Sequence, residues 1–222
     1  MSPLLVRAIF STLQGEGSQA GRPSIFIRLS GCNLWSGQSH QRHLGRGACA
    51  SWCDTEFVGG DRLLPADVVD RVLELTEGWK APHVTITGGE PCLQLRRPQG
   101  EALVSLLTDQ SVDIAIETNG SIEADVLDQP GLHVTVSPKR LLARGQSLDH
   151  IIVRHGTDLK VVVPQWSDSA LIEMATWRFD HLFVQPLDDG RVPAEWVAKT
   201  TTTASRLGAR VSVQVHKLIG VP

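Results

Sequence analysis

The chain has 222 residues, 20% of them charged, and a net charge of −3. Its length suits one large domain, or two small ones, with a core buried without disulfide staples. No global basic field suits a nucleic-acid backbone or an anionic membrane, and no apolar run approaches the roughly 20 residues of a membrane span, so a small-molecule substrate is the class that remains.

The start, MSPLLVRAIFSTLQGEG, lacks the basic and long apolar regions of a signal peptide, so a cytoplasmic location with reduced thiols is expected. Along the chain, LLVRAIFST (4–12) suits an edge strand. PSIFIRLSG (23–31) is the next strand, and LPADVVDRVLELTEGWK (64–80) repeats apolar residues at helical steps. HVTITGG (83–89) is followed by a helix over GEALVSLLTDQ (100–110). DIAIETNG (113–120), LHVTVSPK (132–139) and DLKVVVP (158–164) are three further strands. SDSALIEMATWRF (167–179) opens on a Ser-Asp-Ser cap, and HLFVQP (181–186) is a strand. PAEWVAKTTTTASRL (193–207) carries a proline suited to a first helical turn, and RVSVQVHK (210–217) closes the series as a strand. Several strands are nearly continuous in Val, Ile and Leu, as strands buried on both faces should be.

Alternating strands and helices predict an α/β fold with a mainly parallel sheet and right-handed crossovers. No linker rich in Pro, Gly or Ser divides it, so residues 1–222 are expected to form one domain. Several strands end in polar or glycine-rich tails: TGGEP, ETNGS, SPK and QPLDD. In parallel α/β folds, ligands bind at the carboxyl ends of the strands, so these tails would line one rim.

Three of the four cysteines, Cys32, Cys49 and Cys53, lie in one loop that starts where the second strand ends. In a reducing compartment such a group suggests a metal before a disulfide. Three thiolates with His40 or His43 would make a closed zinc site, whereas three thiolates alone would hold three irons of a [4Fe–4S] cluster and leave the fourth open. Spacing does not separate the two. The rest of the rim does, because an open iron needs a ligand that uses a glycine-rich backbone edge, ribose contacts and an adenine groove, and a zinc loop predicts none of these. Cys92, in PCLQL, reads as a small buried hydrophobe. The basic stretch HQRHLGRG (40–47) reads as a solvated insertion, with docking of an acidic electron donor such as flavodoxin, through Arg42 and Arg46, as its functional alternative.

FSTLQGEGSQAGRPSIFIRLSGCNLW, SWCDT, TITGGEP, IETNGS, SPK, LKVVVP, VQP and the closing QVHK occur in that order. In this the sequence resembles the radical S-adenosylmethionine enzymes and, more narrowly, the 7-carboxy-7-deazaguanine synthases of 7-deazapurine and queuosine biosynthesis. The resemblance runs from about Phe10 to the C-terminus. The family's common cysteine pattern is C-x3-C-x2-C, and a subset carries a long insertion between the first two. Sixteen residues separate Cys32 from Cys49 here, as in that subset. Three residues stand between Cys49 and Cys53, one more than the family has, and aligning SWCDT puts Ala50 where the second cysteine is expected. A glycine-rich loop (Gly45, Gly47) absorbs that slip in the reading taken here.

The resemblance implies an incomplete, TIM-like barrel with a cluster-binding loop at 31–55, and a lyase using a [4Fe–4S] cluster, S-adenosylmethionine and Mg2+. The reaction would convert 6-carboxy-5,6,7,8-tetrahydropterin to 7-carboxy-7-deazaguanine with loss of ammonia. Cys32, Cys49 and Cys53 would hold the cluster, and Thr55, next to Asp54, the magnesium ion. Gly88, Gly89 and Glu90 would face the methionyl end of the cofactor and Glu117 with Asn119 its ribose, with Ser137, Lys139 and Gln185 as further contacts. Gln14 and Glu16 would read the pterin edge and Arg28 its carboxylate, with Thr87, His216 and the terminal Pro222 completing the pocket. The family also implies a homodimer and a reducing donor of flavodoxin or ferredoxin type. The rival readings are an activating enzyme for a glycyl-radical protein, which predicts neither LQGEG nor the VHK tail, and a zinc-stabilised binding module.

Overall fold

The computed structural model describes residues 2–38, 49, 53, 55–188 and 192–221. Nine strands form one continuous sheet: β1 (Leu4–Leu13), β2 (Pro23–Leu29), β3 (Asp61–Leu63), β4 (His83–Gly88), β5 (Asp113–Thr118), β6 (His133–Val136), β7 (His155–Val163), β8 (Arg178–Pro186) and β9 (Arg210–Val211). Their order is β3-β1-β2-β4-β5-β6-β7-β8-β9; β1 pairs antiparallel with both β2 and β3, and every pairing from β2 to β9 is parallel. The sheet does not close on itself, which makes it the incomplete barrel of mainly parallel strands expected from the sequence.

The strands have two chemically different faces. Ile25, Ile27 and Leu29 of β2, Val84 and Ile86 of β4, Ile114 and Ile116 of β5, and Leu159, Val161 and Val163 of β7 are buried in the hydrophobic core. Alternate positions carry Arg28, Thr85, Thr87, Glu117, Asp158, Lys160 and Gln185. Both faces are largely buried, as expected, yet only one of them is apolar. The apolar face packs under the helices. α1 (Pro65–Leu75) buries Val68, Val69 and Val72, and its first turn is fixed by Pro65 and by the Asp67 carboxylate, which accepts a hydrogen bond from the Leu64 N–H at 3.1 Å. After the short α2 (Cys92–Leu95), α3 (Pro98–Asp109) buries Leu103, Val104 and Leu107.

In α4 (Asp168–Met174) the Ser167 hydroxyl accepts from the Ala170 N–H at 3.3 Å, the cap that the Ser-Asp-Ser cluster predicted. In α5 (Ala194–Leu207) the threonine run stays helical: Thr200 and Thr201 donate their hydroxyls to the carbonyls of Trp196 and Val197.

The structure departs from the sequence reading in several places: β1, read as an edge strand, is covered by β3, and the helix read to 80 ends at Leu75. The last predicted strand, 210–217, pairs with β8 only at Arg210 and Val211; Ser212 then takes the Val184 carbonyl, and the chain turns into α6 (Val215–Ile219). Alternating apolar residues over so short a stretch fit either element, and contacts from the N-terminal loop decide it. The helix predicted to 179 stops at Met174, because Arg178 and Phe179 already pair with His155 and Gly156. The short edge strand β3 has no sequence signal of its own.

His83, at the start of β4, is 1% exposed. Its Nδ1 is 2.9 Å from the Ser24 hydroxyl and its buried Nε2 has no partner among the described residues. Burial first, and then the Arg22 charge, pull its pKa down to about 4. A histidine held neutral in the fold takes up its proton more readily when unfolded, so its contribution is intact above the unfolded value near 6.5 and is lost as the pH falls towards 4. Urea unfolding at successive pH values should show His83→Gln losing less stability than the wild type between about pH 6.5 and 4, by on the order of 3 kcal/mol at the lower end.

Candidate functional site

At the carboxyl ends of the strands the polar face opens into a cavity of about 500 Å³. β2 contributes Arg28 and β4 contributes Thr87, which are register partners across the ladder. Phe10 lies under the Arg28 guanidinium, 5.2 Å from ring centroid to Cζ. β5 contributes Glu117, and the strand ends beyond it Asn119, Ser137 and Lys139. Lys160 of β7 lines the floor, with Gln14 and Glu16 from the first loop and His216 from α6. Of the residues singled out in the sequence, Cys32, Cys49, Cys53, Thr55, Gly88 and Gly89 line the same cavity. Glu90 and Gln185 do not line it; Pro222 and Asp54 lie outside the described residues, as do His40, Arg42, His43, Gly45, Arg46, Gly47 and Ala50.

The floor is a network of paired polar groups. Glu16 forms a salt bridge with Lys160 through one carboxylate oxygen. Its other oxygen accepts from the side-chain amides of Gln185 at 3.1 Å and Gln214 at 2.7 Å. Ser212 donates to the Gln185 carbonyl oxygen at 2.9 Å, and its own oxygen accepts from the Gly17 N–H at 3.1 Å. Burial pulls the Lys160 pKa down to about 8, and the carboxylate against it opposes that shift. Gln14 donates to Glu117 at 2.9 Å, and burial holds the Glu117 carboxyl above its usual range despite that bond.

Below the floor, Asp158 accepts from the Ser18 N–H at 2.8 Å and lies 3.2 Å from His133 Nε2. Burial pushes Asp158 up, but the bonds from His133 and Ser18 outweigh it and leave its pKa below the usual value. These bonds pin the loop carrying Gln14 and Glu16 onto β6 and β7.

Gly15 touches the C-terminal segment directly. A Cβ there would stand 1.9 Å from Nδ1 of His216, and the Gly15 carbonyl accepts from the Val215 N–H at 2.9 Å. Glycine at 15 is what lets His216 reach the cavity beside Gln14 and Glu16.

At the opposite end, Gly88 has φ +147 and an added Cβ would meet the Leu29 carbonyl oxygen at 2.0 Å; at Gly89 it would meet Cys32 Cβ at 2.8 Å. The two glycines therefore let β4 end against the first residues of the cysteine loop. Glu90 closes this corner from within. It is fully buried, and its carboxylate accepts from the Asn119 N–H and the Thr118 hydroxyl, both at 2.7 Å, and from the Cys92 N–H at 3.0 Å. Burial raises its pKa against those three bonds.

Cys32 accepts from the Leu34 N–H at 3.4 Å, and Cys49 bridges to Leu141, just beyond Lys139 and Arg140. Burial holds the Cys32 thiol high, with Cys53 close enough to add to the effect. Cys92 is fully buried and does not line the cavity, which fits a packing role. Among the described residues no three His, Cys, Asp or Glu side chains converge on a single ion. Three thiols lining one cavity suit a cluster, in which each thiolate would ligate a different iron. The donor set is three sulfurs beside a glycine-lined strand end.

Sequence reasoning missed Lys160, Arg140, Asp188, Gln214 and Lys217, all of which line the cavity. Lys160 had a legible signal, a cation alternating with Val inside an otherwise apolar strand. The others stand in loops and in α6, where no periodicity marks an inward side chain.

No protein-family model matches the sequence. Curated relatives align end to end. The chain is 37% identical over 225 residues to the 7-carboxy-7-deazaguanine synthase of Bordetella pertussis, covering 98% of both chains. It is 39% identical over 228 residues to the enzyme of that name from Bradyrhizobium diazoefficiens, covering 97% of this chain and 98% of the other. Among solved structures, the crystal structure of QueE from Escherichia coli superposes with a TM-score of 0.72 at 28% identity, covering 96% and 95% of the two chains.

The cysteine assignments separate in one measurement. After anaerobic reconstitution, iron per chain should fall to background in Cys32→Ala, Cys49→Ala and Cys53→Ala, and stay at wild-type level in Cys92→Ala. Full iron retention in Cys49→Ala would remove it from the ligand set.

Proposed function

Because the chain belongs to the 7-carboxy-7-deazaguanine synthase family, we propose that it converts 6-carboxy-5,6,7,8-tetrahydropterin to 7-carboxy-7-deazaguanine with release of ammonia, as a radical S-adenosylmethionine enzyme. The observation that carries this reading is the meeting, in one cavity, of three thiols with Gln14, Glu16, Arg28 and His216. Neither a zinc-stabilised binding module nor an activator of a glycyl-radical protein calls for both groups.

Cys32, Cys49 and Cys53 would hold the [4Fe–4S] cluster. The cluster with S-adenosylmethionine supplies, when bound, one-electron cleavage of the sulfonium and hydrogen abstraction from the substrate. The chain's own residues do the rest. The bare backbone edge at Gly88 and Gly89 receives the methionyl end, and Glu90 acts from behind by fixing Asn119 and Thr118 at the end of β5. Glu117 and Asn119 stand where ribose hydroxyls would bind, with Ser137 and Lys139 beside them; Lys139 donates to the Ser137 hydroxyl at 2.9 Å. Gln185 acts one layer down, by orienting Glu16.

Gln14 and Glu16 offer acceptors to the N–H edge of the pterin. Arg28, at the end of β2, clamps its carboxylate, and Thr55 would supply a hard oxygen to a Mg2+ ion. His216 closes the site from α6. Enclosure of the cavity by Phe26, Trp35 and Phe57 keeps water from the reacting atoms.

A homodimer, a flavodoxin- or ferredoxin-type electron donor and a cytoplasmic location complete the reading. No helix among the described residues is long and apolar enough to cross a membrane.

The test is anaerobic turnover. Reconstituted protein given S-adenosylmethionine, dithionite, Mg2+ and the tetrahydropterin should release 7-carboxy-7-deazaguanine and ammonia in equal amounts, and Arg28→Ala should lower kcat/KM by roughly 30-fold or more. A protein that binds four irons and cleaves S-adenosylmethionine, but never consumes the pterin, would refute the proposal.

A further inference from the structure

Lys160 has no role in the sequence reading, yet its charge is the most fully enclosed cation described in the cavity, with a side chain 7% exposed against a Glu16 side chain 13% exposed. A lysine in such a place is retained only if something offsets its desolvation, and the Glu16 carboxylate is that partner. The carboxylate's other described hydrogen-bond partners are also donors. Gln214 donates its amide, and Gln185 presents its NH2 to Glu16 while its carbonyl oxygen accepts from Ser212. The Ser212 oxygen also accepts from the Gly17 N–H. A neutral Glu16 would have to place an O–H among these donors, whereas an ionised one satisfies them and keeps lone-pair capacity for a ligand.

We propose that Lys160 determines which ligands this cavity accepts: it holds Glu16 as an ionised acceptor, so that the site takes a flat heterocycle presenting adjacent N–H donors and rejects one presenting acceptors there. The inference rests on the pterin reading above and adds to it the residue that enforces it. The amides are neutral, whereas an ammonium is a donor that also carries a full positive charge, so among the described partners of Glu16 it is Lys160 that offsets the carboxylate's charge. Lys160 acts through Glu16 and is a positioning residue.

The other ionisable groups around the cavity come from every element that lines it. They are Arg28 on β2, Glu117 on β5, Lys139 and Arg140 beyond β6, and His216 on α6, with Lys217 paired to Asp188 at 3.3 Å. Asp158 lies beneath, paired with His133. The Glu16 carboxylate is held by Lys160, Gln185 and Gln214, so loss of Lys160 removes its charged donor and leaves these two amides. Burial then favours its protonated form, and acceptor strength is lost as the pH falls.

The experiment is a fluorescence titration of 6-carboxypterin, which presents the same N–H edge, onto the reconstituted, S-adenosylmethionine-loaded protein from about pH 6 to 9. Lys160→Met and Lys160→Gln should bind roughly tenfold or more weakly than wild type at the acid end, with the gap closing as the pH rises, and Lys160→Arg should stay within a few-fold throughout. The ligand's own titration cancels in the ratio of variant to wild type. In Glu16→Gln, the added Lys160→Met change should weaken binding little further, because no charge is left to hold. Iron content and S-adenosylmethionine binding should match wild type in all variants, which sets aside a folding defect. Equal affinity at every pH, or a loss of the same size at every pH, would overturn the role of Lys160 alone. If the wild type does not bind the pterin, the functional reading fails and this inference falls with it.

Discussion

A carboxylate enclosed at the mouth of a parallel sheet must be paired, and much of this site's architecture follows from how Glu16 is paired. Its cation comes from the middle of β7 and its amides from the end of β8 and the start of α6. Because truncating one member of a buried pair strands the other, these three elements are tied to the N-terminal loop, and the loop to them. The same logic applies one layer down, where Asp158 and His133 hold Ser18. Polar groups that look out of place in apolar strands are thus the fasteners of this side of the cavity.

That side joins the two ends of the chain. The loop after β1 and the segment after β9 lie against each other through the Gly15 carbonyl and the Val215 N–H. The contact is possible only without a side chain at position 15. A sheet that does not close leaves a gap beside its last strand, and α6 stands there. The short β9 makes this geometry possible: after two rungs on β8 the chain is released to turn inward.

The end of β4 beside the cysteine loop is organised differently. Here the fasteners are backbone groups. Gly88 and Gly89 let β4 finish against the carbonyls of Leu29 and Gly31, which brings the start of the cysteine loop alongside. The carboxylate of Glu90 then ties that corner to the end of β5 through Asn119 and Thr118. Glu90 of the TGGEP motif is in the fold a fully buried brace between the ends of β4 and β5.

How much of this was legible from the sequence depends on how local the physics is. Strand and helix identities, the parallel sheet and the rim formed by TGGEP, ETNGS and SPK follow from periodicity and strand-end chemistry, which are properties of neighbouring residues. The cysteine group and the family motifs pointed to the reaction class for the same reason, since the cofactor's demands are written as short ordered patterns. Contacts between segments far apart in the chain were not legible. Lys160 and Glu16 are 144 positions apart and Gln214 and Glu16 are 198 apart, so no window along the chain contains both partners. The turn of residues 212–217 away from the sheet depended on the same distant loop. The sequence by itself determined the elements, their order and the chemistry each strand end could offer. Only the tertiary structure decided which buried charges face one another, because the need to pair a charge away from water is met by whichever group the fold brings near.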